Sequence, residues 1–255
     1  MYAEERQQAM AQQVAQQGRL SVAQLARAFD VTTETVRRDL TMLEQHGLVR
    51  RVHGGAIPAR SLAVIESALV EREKANTDAK DAIAAAAVAL LPPAGGTVVL
   101  DAGSTTARLA AAIPHDLALT VFTNSVPVAS RLGALENVEL HLLPGRVRPT
   151  TQAAVGSDTV AALHDLRVDV VFVGTNGLTV DHGLSTPDRD EAATKRAIVR
   201  AGRQVVALSD ASKLGQDTAI RFAELDDLDV LVTDDSVDDG VRDSLERSGV
   251  EVVVA

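Results

Sequence analysis

The sequence predicts an α/β protein in two unequal parts: a short helical module closed by a hairpin, then an open, mostly parallel sheet with helices on both faces. Three observations predict it. Helix-type apolar spacing runs to about Gln45. Gly54-Gly55 then separates two short β-prone runs, a hairpin pattern. From Thr97 onward, Val-rich runs alternate with helical segments, and most lack polar–apolar alternation, as strands do when helices cover both faces of a parallel sheet.

A chain of 255 residues holds one large domain or a small one plus a medium one. Hydrophobic residues make up 46% and aromatics only 2%, so the core must be built from Ala, Val and Leu. The absence of Cys excludes disulfides, a thiolate nucleophile and a Cys-based zinc site, and it suits a reducing cytosol. No signal-type leader or long apolar run is present, and Ala79 to Leu91 carries Lys80 and Asp81. The expectation is a soluble cytoplasmic protein with no membrane span, metal site or cofactor. Charge divides unevenly. Residues 1–60 hold 8 Arg against 6 acidic residues, a balance of +2, while residues 61–255 hold 17 basic against 29 acidic, a balance of -12. Such an acidic body repels nucleic acid everywhere except at its basic end.

The elements follow in order. Glu4 to Gln17 is a polar amphipathic helix with apolar positions at Ala9, Met10 and Val14, stopped by Gly18. In "LSVAQLARAF", Ser21 and Gln24 have capping-box spacing, and Leu20 and Leu25 stand at the positions of a hydrophobic staple. Val22, Leu25, Ala26 and Phe29 then give one apolar face. "DVT" is a tight connection, and Thr32 or Thr33 caps a helix running to about Gln45, which Gly47 ends. "LVRRVHGGAIP" is the hairpin. Ala59 to Val70 lacks turn residues and periodicity and reads as a linker. A helix from about Thr77 to Leu91 is stopped by Pro92-Pro93. Strand-like runs then begin at Thr97, Leu119, Val138, Val168, Gln204, Asp229 and Val250. Helical segments lie between most of them: Thr105 to Ile113, Val126 to Leu135, Ser157 to His164, Asp188 to Arg200 and Asp238 to Ser248. The expected domains are residues 1–58 and 77–255, with residues 59–76 as linker.

"TTETVRRDL" sets two adjacent arginines in a chain of net charge -10. At about 100° per residue, Val36, Leu40 and Leu43 form a buried stripe. Glu34, Arg38 and Thr41 then point the opposite way, and Thr35 and Arg37 flank them. Thr and Arg near a helix N-terminus supply the hydroxyls and fork donors that major-groove reading needs. Arg50, Arg51 and His53 repeat the theme on the hairpin, as a wing would. The competing reading makes Glu34 and Arg38 a solvated pair four apart, with Arg37 snorkelling. It leaves the hairpin arginines and the charge split unaccounted for, so DNA binding is preferred.

This stretch, "LSVAQLARAFDVTTETVRRDLTMLEQHGLVRRVHGGA", resembles the winged helix-turn-helix of the DeoR/GlpR family of bacterial transcriptional regulators. The resemblance implies that Thr33, Thr35, Arg37 and Arg38 lie on the recognition helix and that Arg50, Arg51 and His53 belong to the wing. Asp39 falls beside the buried stripe and takes a capping or structural role.

In the acidic body, "GTVVLDAGSTTARLAAAI" reads as strand, tight loop and helix. Gly103 lets a ligand approach the backbone, and Ser104, Thr105 and Thr106 offer hydroxyls and amides where a helix N-terminus favours an anion. It is neither G-x-G-x-x-G nor Walker A, so dinucleotides and nucleoside triphosphates lose support. The bland alternative is a plain N-cap. Further polar clusters follow four other strands: Thr123, Asn124 and Ser125; Gly145, Arg146 and Arg148; Asn176 and Gly177; Asp210, Ser212 and Lys213. Ligands collect at carboxyl ends of strands in open parallel sheets, so these loops converge on one crevice suited to a phosphorylated polyol.

From about Arg72 onward the chain also resembles the DeoR/GlpR effector domain, which is similar to ribose-5-phosphate isomerase and glucosamine-6-phosphate deaminase. The resemblance implies that "DAGSTT", including Asp101, faces phosphate, with "TNS" beside it. It adds "GTNG", Glu191, Lys195 and "DASK" to the site, although Glu191 and Lys195 also read as a surface pair four apart. Pro144-Gly145 stands where many members have Gly-Gly. The rival reading is a sugar-phosphate isomerase-like enzyme, which needs a general base. The loop that carries acidic residues in the isomerases reads Gly174, Thr175, Asn176, Gly177 and Leu178 here, leaving only Asp181, His182, Asp101 and Asp210 near it. The missing loop carboxylates disfavour an enzyme, and the resemblance implies a repressor, working as a homodimer or homotetramer on operator DNA. A phosphorylated sugar, with fructose phosphate preferred, would release it.

Overall fold

The computed structural model describes residues 3–17, 20–45, 48–52, 54–58 and 69–255. The chain divides into two compact units, residues 1–62 and 63–255.

The N-terminal unit contains α1 (Ala3–Gln17), β1 (Leu20–Ser21), α2 (Val22–Ala28), α3 (Thr33–Gln45), β2 (Val49–Val52) and β3 (Gly55–Pro58). Its strands form an antiparallel sheet in the order β1-β3-β2. The capping box is formed: the Ser21 hydroxyl accepts from the Gln24 N–H, and the Gln24 side chain accepts from the Ser21 N–H. Thr32 rather than Thr33 caps α3, its Oγ1 accepting from the Thr35 N–H at 3.2 Å. Met10, Val14, Leu20, Leu25, Val36, Leu40, Leu43, Val49 and Ala56 bury together, so the α3 stripe lies where its periodicity placed it.

The C-terminal unit opens with α4 (Leu69–Lys74) and α5 (Thr77–Ala87), the latter extended by a 3-10 turn to Leu90. Helix α4 lies inside the segment expected to be linker; residues 59–68 of that segment fall outside the described residues. Next come β4 (Gly96–Leu100), α6 (Ser104–Ala112), β5 (Leu119–Thr123), α7 (Val126–Leu132), β6 (Val138–Leu142), β7 (Arg146–Val147), β8 (Ala154–Val155) and α8 (Ser157–His164). The chain continues through β9 (Val168–Gly174), β10 (Gly177–Thr179), β11 (Gly183–Thr186), α9 (Arg189–Ala201), β12 (Gly202–Leu208), β13 (Ile220–Ala223), β14 (Val230–Thr233), α10 (Asp239–Arg247) and β15 (Glu251–Val254).

Seven strands form one parallel sheet in the order β15-β14-β12-β9-β4-β5-β6. Alternate residues of each central strand enter opposite cores. Val98, Leu100, Val170, Phe172, Val206 and Leu208 pack with Ile83, Leu109 and Val128 of α5–α7. Val99, Val171, Val173, Val205 and Ala207 pack with Leu163, Ile198 and Leu245 of α8–α10. Because both faces are covered, the strands need apolar residues at every position, which is why they read as unbroken Val-rich runs. The order reverses between β4 and β9, the switch point at whose carboxyl ends open parallel sheets place a ligand crevice. Two smaller antiparallel sheets, β10-β11-β13 and β7-β8, accompany the parallel one, as a mostly parallel reading allows.

Candidate functional site

On α3, Thr33, Arg37 and Arg38 are exposed and Thr35 is half-buried. Glu34 pairs with Arg37 at 3.4 Å, both well exposed, and not with Arg38 as the solvated-pair reading required. Arg38 makes no hydrogen bond or ion pair among the described residues, so its whole fork faces solvent. Asp39 turns inward, 4% exposed, accepting from Arg6 Nε at 2.7 Å and Gln7 Nε2 at 2.9 Å. It therefore ties α1 to α3. Arg51 is committed to the same helix: its backbone N–H donates to Glu44 Oε1 and its Nη1 to Thr41 Oγ1, at 2.8 and 2.9 Å. These bonds fix β2 against α3, and Arg51 itself is exposed. His53 and the Arg50 side chain lie outside the described residues.

At the switch point, Lys195 of α9 pairs with Asp101 at the end of β4 and donates to the Gly174 carbonyl at the end of β9 at 3.0 Å. Asp101 Oδ2 also accepts from the Gly174 N–H at 3.0 Å. Burial pushes the Asp101 carboxyl above its ordinary range, opposed by Lys195 and by that N–H. Glu191, one turn earlier on α9, accepts from Arg148 Nη1 at 2.5 Å and from the Thr151 hydroxyl, and Arg148 reaches Asp188 at 3.2 Å. Glu191 and Lys195 are each 5% exposed, so they are buried members of two polar links and not a solvated helical pair.

The remaining expected residues divide by what their polar atoms do. Thr106 donates to the Asp101 and Gly103 carbonyls, Thr123 donates to the Leu100 carbonyl, and Ser125 caps α7. Asn124 accepts from the Ala102 N–H and donates to the Ala154 carbonyl. Those four build the loops. Ser104 differs: it is 3% exposed, opens α6, and its hydroxyl has no hydrogen-bond partner among the described residues. Thr105 is equally buried, and no side chain caps α6 at Gly103. Gly145 adopts φ +139, and a Cβ there would stand 2.1 Å from Thr159 Oγ1, so the turn itself requires glycine. Gly177 lies against the Gln216 backbone, where a Cβ would approach its carbonyl to 2.5 Å. Asn176 is half-buried, its N–H bonded to the Ser185 carbonyl.

Lys213 pairs with Asp210 at 3.3 Å, and Asn76 donates to the same carboxylate at 3.0 Å. Burial lowers the Lys213 ammonium despite Asp210. Burial alone would raise Asp210, but Lys213, Ser212 and Asn76 hold it below its ordinary range. A cavity of about 300 Å³ adjoins this pair, lined by Asn76, Asp78, Asp210, Ser212, Asp234 and Ser236. Lys80 is the residue sequence reasoning missed. It is 2% exposed, and burial together with the Lys213 charge pushes its pKa down to about 8, against Asp210. A lysine in an Ala-rich helix reads as a solvated side chain; the signal was its i, i+3, i+4, i+7 spacing with Ile83, Ala84 and Ala87, which share its buried face.

Among the described residues no cluster of three metal-ligating side chains occurs, and no helix is long and apolar enough to cross a membrane. Residues 6–61 match the DeoR-like helix-turn-helix domain and residues 75–235 the DeoR C terminal sensor domain. The chain belongs to the DeoR family. An HTH-type transcriptional regulator GlpR of Haloferax volcanii is 38% identical over 91% of this chain and 90% of its own length. The glycerol-3-phosphate regulon repressor of Escherichia coli is 32% identical over 87% of this chain and 86% of its own. A ribose 5-phosphate isomerase from Methanocaldococcus jannaschii superposes with TM-score 0.41 and 20% identity over 55% of each chain. This DeoR-family chain is a DNA-binding transcriptional regulator and not an enzyme. His182 lines a cavity of about 680 Å³ with Arg196, Arg200 and Arg221.

Proposed function

We propose that this DeoR-family regulator represses a sugar-metabolism operon from the cytoplasm, binding operator DNA as a homodimer or homotetramer until a phosphorylated sugar enters the crevice. Thr33, Thr35, Arg37, Arg38, Arg50, Arg51 and His53 form the DNA-facing set. The buried, unpartnered Ser104 hydroxyl at the uncapped start of α6, beside the Asp101–Lys195 pair, carries the effector half of the reading. A helix start without acidic residues or a cap attracts an anion, and the buried Lys80 and Lys195 with the half-buried Lys213 supply positive charge in this unit. The printed name of the Escherichia coli relative, a glycerol-3-phosphate regulon repressor, supports a phosphorylated polyol. Fructose phosphate is the preferred effector among such polyols.

A thermal-shift panel of fructose 1-phosphate, fructose 6-phosphate, glycerol 3-phosphate and inorganic phosphate tests this, read beside binding to the protein's own promoter fragment. At least one sugar phosphate should raise the midpoint and weaken DNA binding. Thr105→Glu, which sets a carboxylate at the anion position, should remove both effects while sparing DNA affinity. A Thr105→Glu protein that still responds normally puts the effector elsewhere.

A further inference from the structure

Helix α4 has six residues, too few to persist without tertiary support. Its start is held where the Leu69 N–H donates to the Thr150 carbonyl at 2.9 Å and the Leu69 side chain is buried. Its other end is held by two cations. Lys80 donates to the Arg72 carbonyl at 2.6 Å and to the Ala75 carbonyl. Arg108 donates to the Glu73 carbonyl at 2.9 Å and pairs with Asp81 at 3.0 Å. Cations at a helix C-terminus satisfy carbonyls that have no partner within the helix.

Both cations also belong to the crevice side of the unit. Arg108 stands one turn along α6 from Ser104, and Lys80 lies within electrostatic reach of Lys213 and Asp210. Lys195 and Lys213 each have a carboxylate partner; Lys80 has none within ion-pair distance among the described residues. A buried ammonium bonded only to carbonyls gains by exchanging them for an anion, because charge-assisted bonds are roughly twice as strong as neutral ones. In the chain, α4 is the described element of the sensor unit nearest the helix-turn-helix, following β3 after the intervening segment.

We propose that α4 is the element on which the crevice acts: Lys80 and Arg108 clamp its C-terminal carbonyls, and an anionic effector draws Lys80 off them, loosening α4 and thereby weakening operator binding. Lys80 and Arg108 are thus positioning residues for repression. This rests on the crevice binding a phosphorylated ligand, and the same ligand-dependent bias supplies the coupling free energy.

Hydrogen–deuterium exchange on the full-length protein tests it, with and without fructose 1-phosphate, fructose 6-phosphate and inorganic phosphate. Effector should speed exchange of the α4 amides while slowing those at the start of α6. Arg108→Met should show fast α4 exchange without any ligand and bind the promoter fragment at least tenfold more weakly. Its effector affinity should be unchanged or improved, and Arg108→Lys should recover part of the DNA affinity. Unchanged α4 exchange and DNA affinity in Arg108→Met overturns the clamp whatever the ligand turns out to be. Slowed α4 exchange on effector binding overturns it too. If no sugar phosphate protects α6 yet Arg108→Met behaves as stated, the effector reading fails and the link from α4 to DNA stands.

Discussion

Asp39 shows how far a single position can be read. Its place beside the Val36–Leu40–Leu43 stripe made a structural role legible from spacing alone. Its partners were not legible, because Arg6 and Gln7 precede it by 33 and 32 residues on a different helix. Asp39 raises the Arg6 guanidinium, chiefly through the hydrogen bond between them. With the Arg6 side chain 14% exposed, Asp39→Ala strands a mostly buried cation. The expected loss is about 3 kcal/mol in the stability of the N-terminal unit, the lower end of the range for broken buried pairs. Chemical denaturation should show it as a lowered midpoint with unchanged slope. A loss below about 0.5 kcal/mol, the scale of ordinary surface substitutions, would mean that the pair is solvated. The crevice residues teach the same lesson in reverse. Types such as Thr, Asn and Ser announced polar strand ends, but only the structure separates Ser104, with no partner, from Thr106 and Thr123, whose hydroxyls are spent on nearby carbonyls.

At the scale of elements, periodicity and caps read well where they were strong. The capping box at Ser21 and the parallel strands from Gly96 onward were visible because each depends on local sequence. The β10-β11-β13 sheet was not: "GLT", "GLST" and "IRFA" are too short to show alternation, and pairing with distant neighbours makes them strands. Helix α4 escaped for the related reason that side chains of α5 and α6 hold it, not its own pattern. For α3 the structure sharpens the choice between its two arginines. Arg37 shares its charge with Glu34, while Arg38 is uncommitted. Arg38→Ala should therefore cost about 1–3 kcal/mol of operator affinity if it reads a base, with less discrimination against random duplex and no change in effector binding. A uniform loss on all duplexes with a shallower salt slope would assign it to phosphate instead.

The whole molecule joins a basic reading unit to a sensor unit whose interior is rich in charge. Asp101, Glu191, Asp210, Lys80, Lys195 and Lys213 are all largely buried, an expensive arrangement unless partners or ligands compensate. Five of the six have partners of opposite charge, and among the described residues Lys80 is the exception. Its pKa of about 8 in the folded chain, against 10.5 for an ordinary lysine, fixes the sign of a pH effect. Below pH 8 the ammonium is charged in both folded and unfolded chains, and the folded state bears the full cost of burying it. Between about 8 and 10.5 the unfolded chain holds the extra proton, so stability from this group rises with pH; above that window the cost is gone. The total is about 3 kcal/mol, with a slope no steeper than about 1.4 kcal/mol per pH unit. Unfolding free energies of the wild type and Lys80→Met should therefore converge or cross in the wild type's favour from pH 7 to pH 10, other titrations cancelling in the difference. A bound anion favours the ammonium, so effector affinity should fall over the same window. Parallel stability curves together with a pH-independent effector affinity would show that Lys80 is solvated and that the crevice cation is another residue.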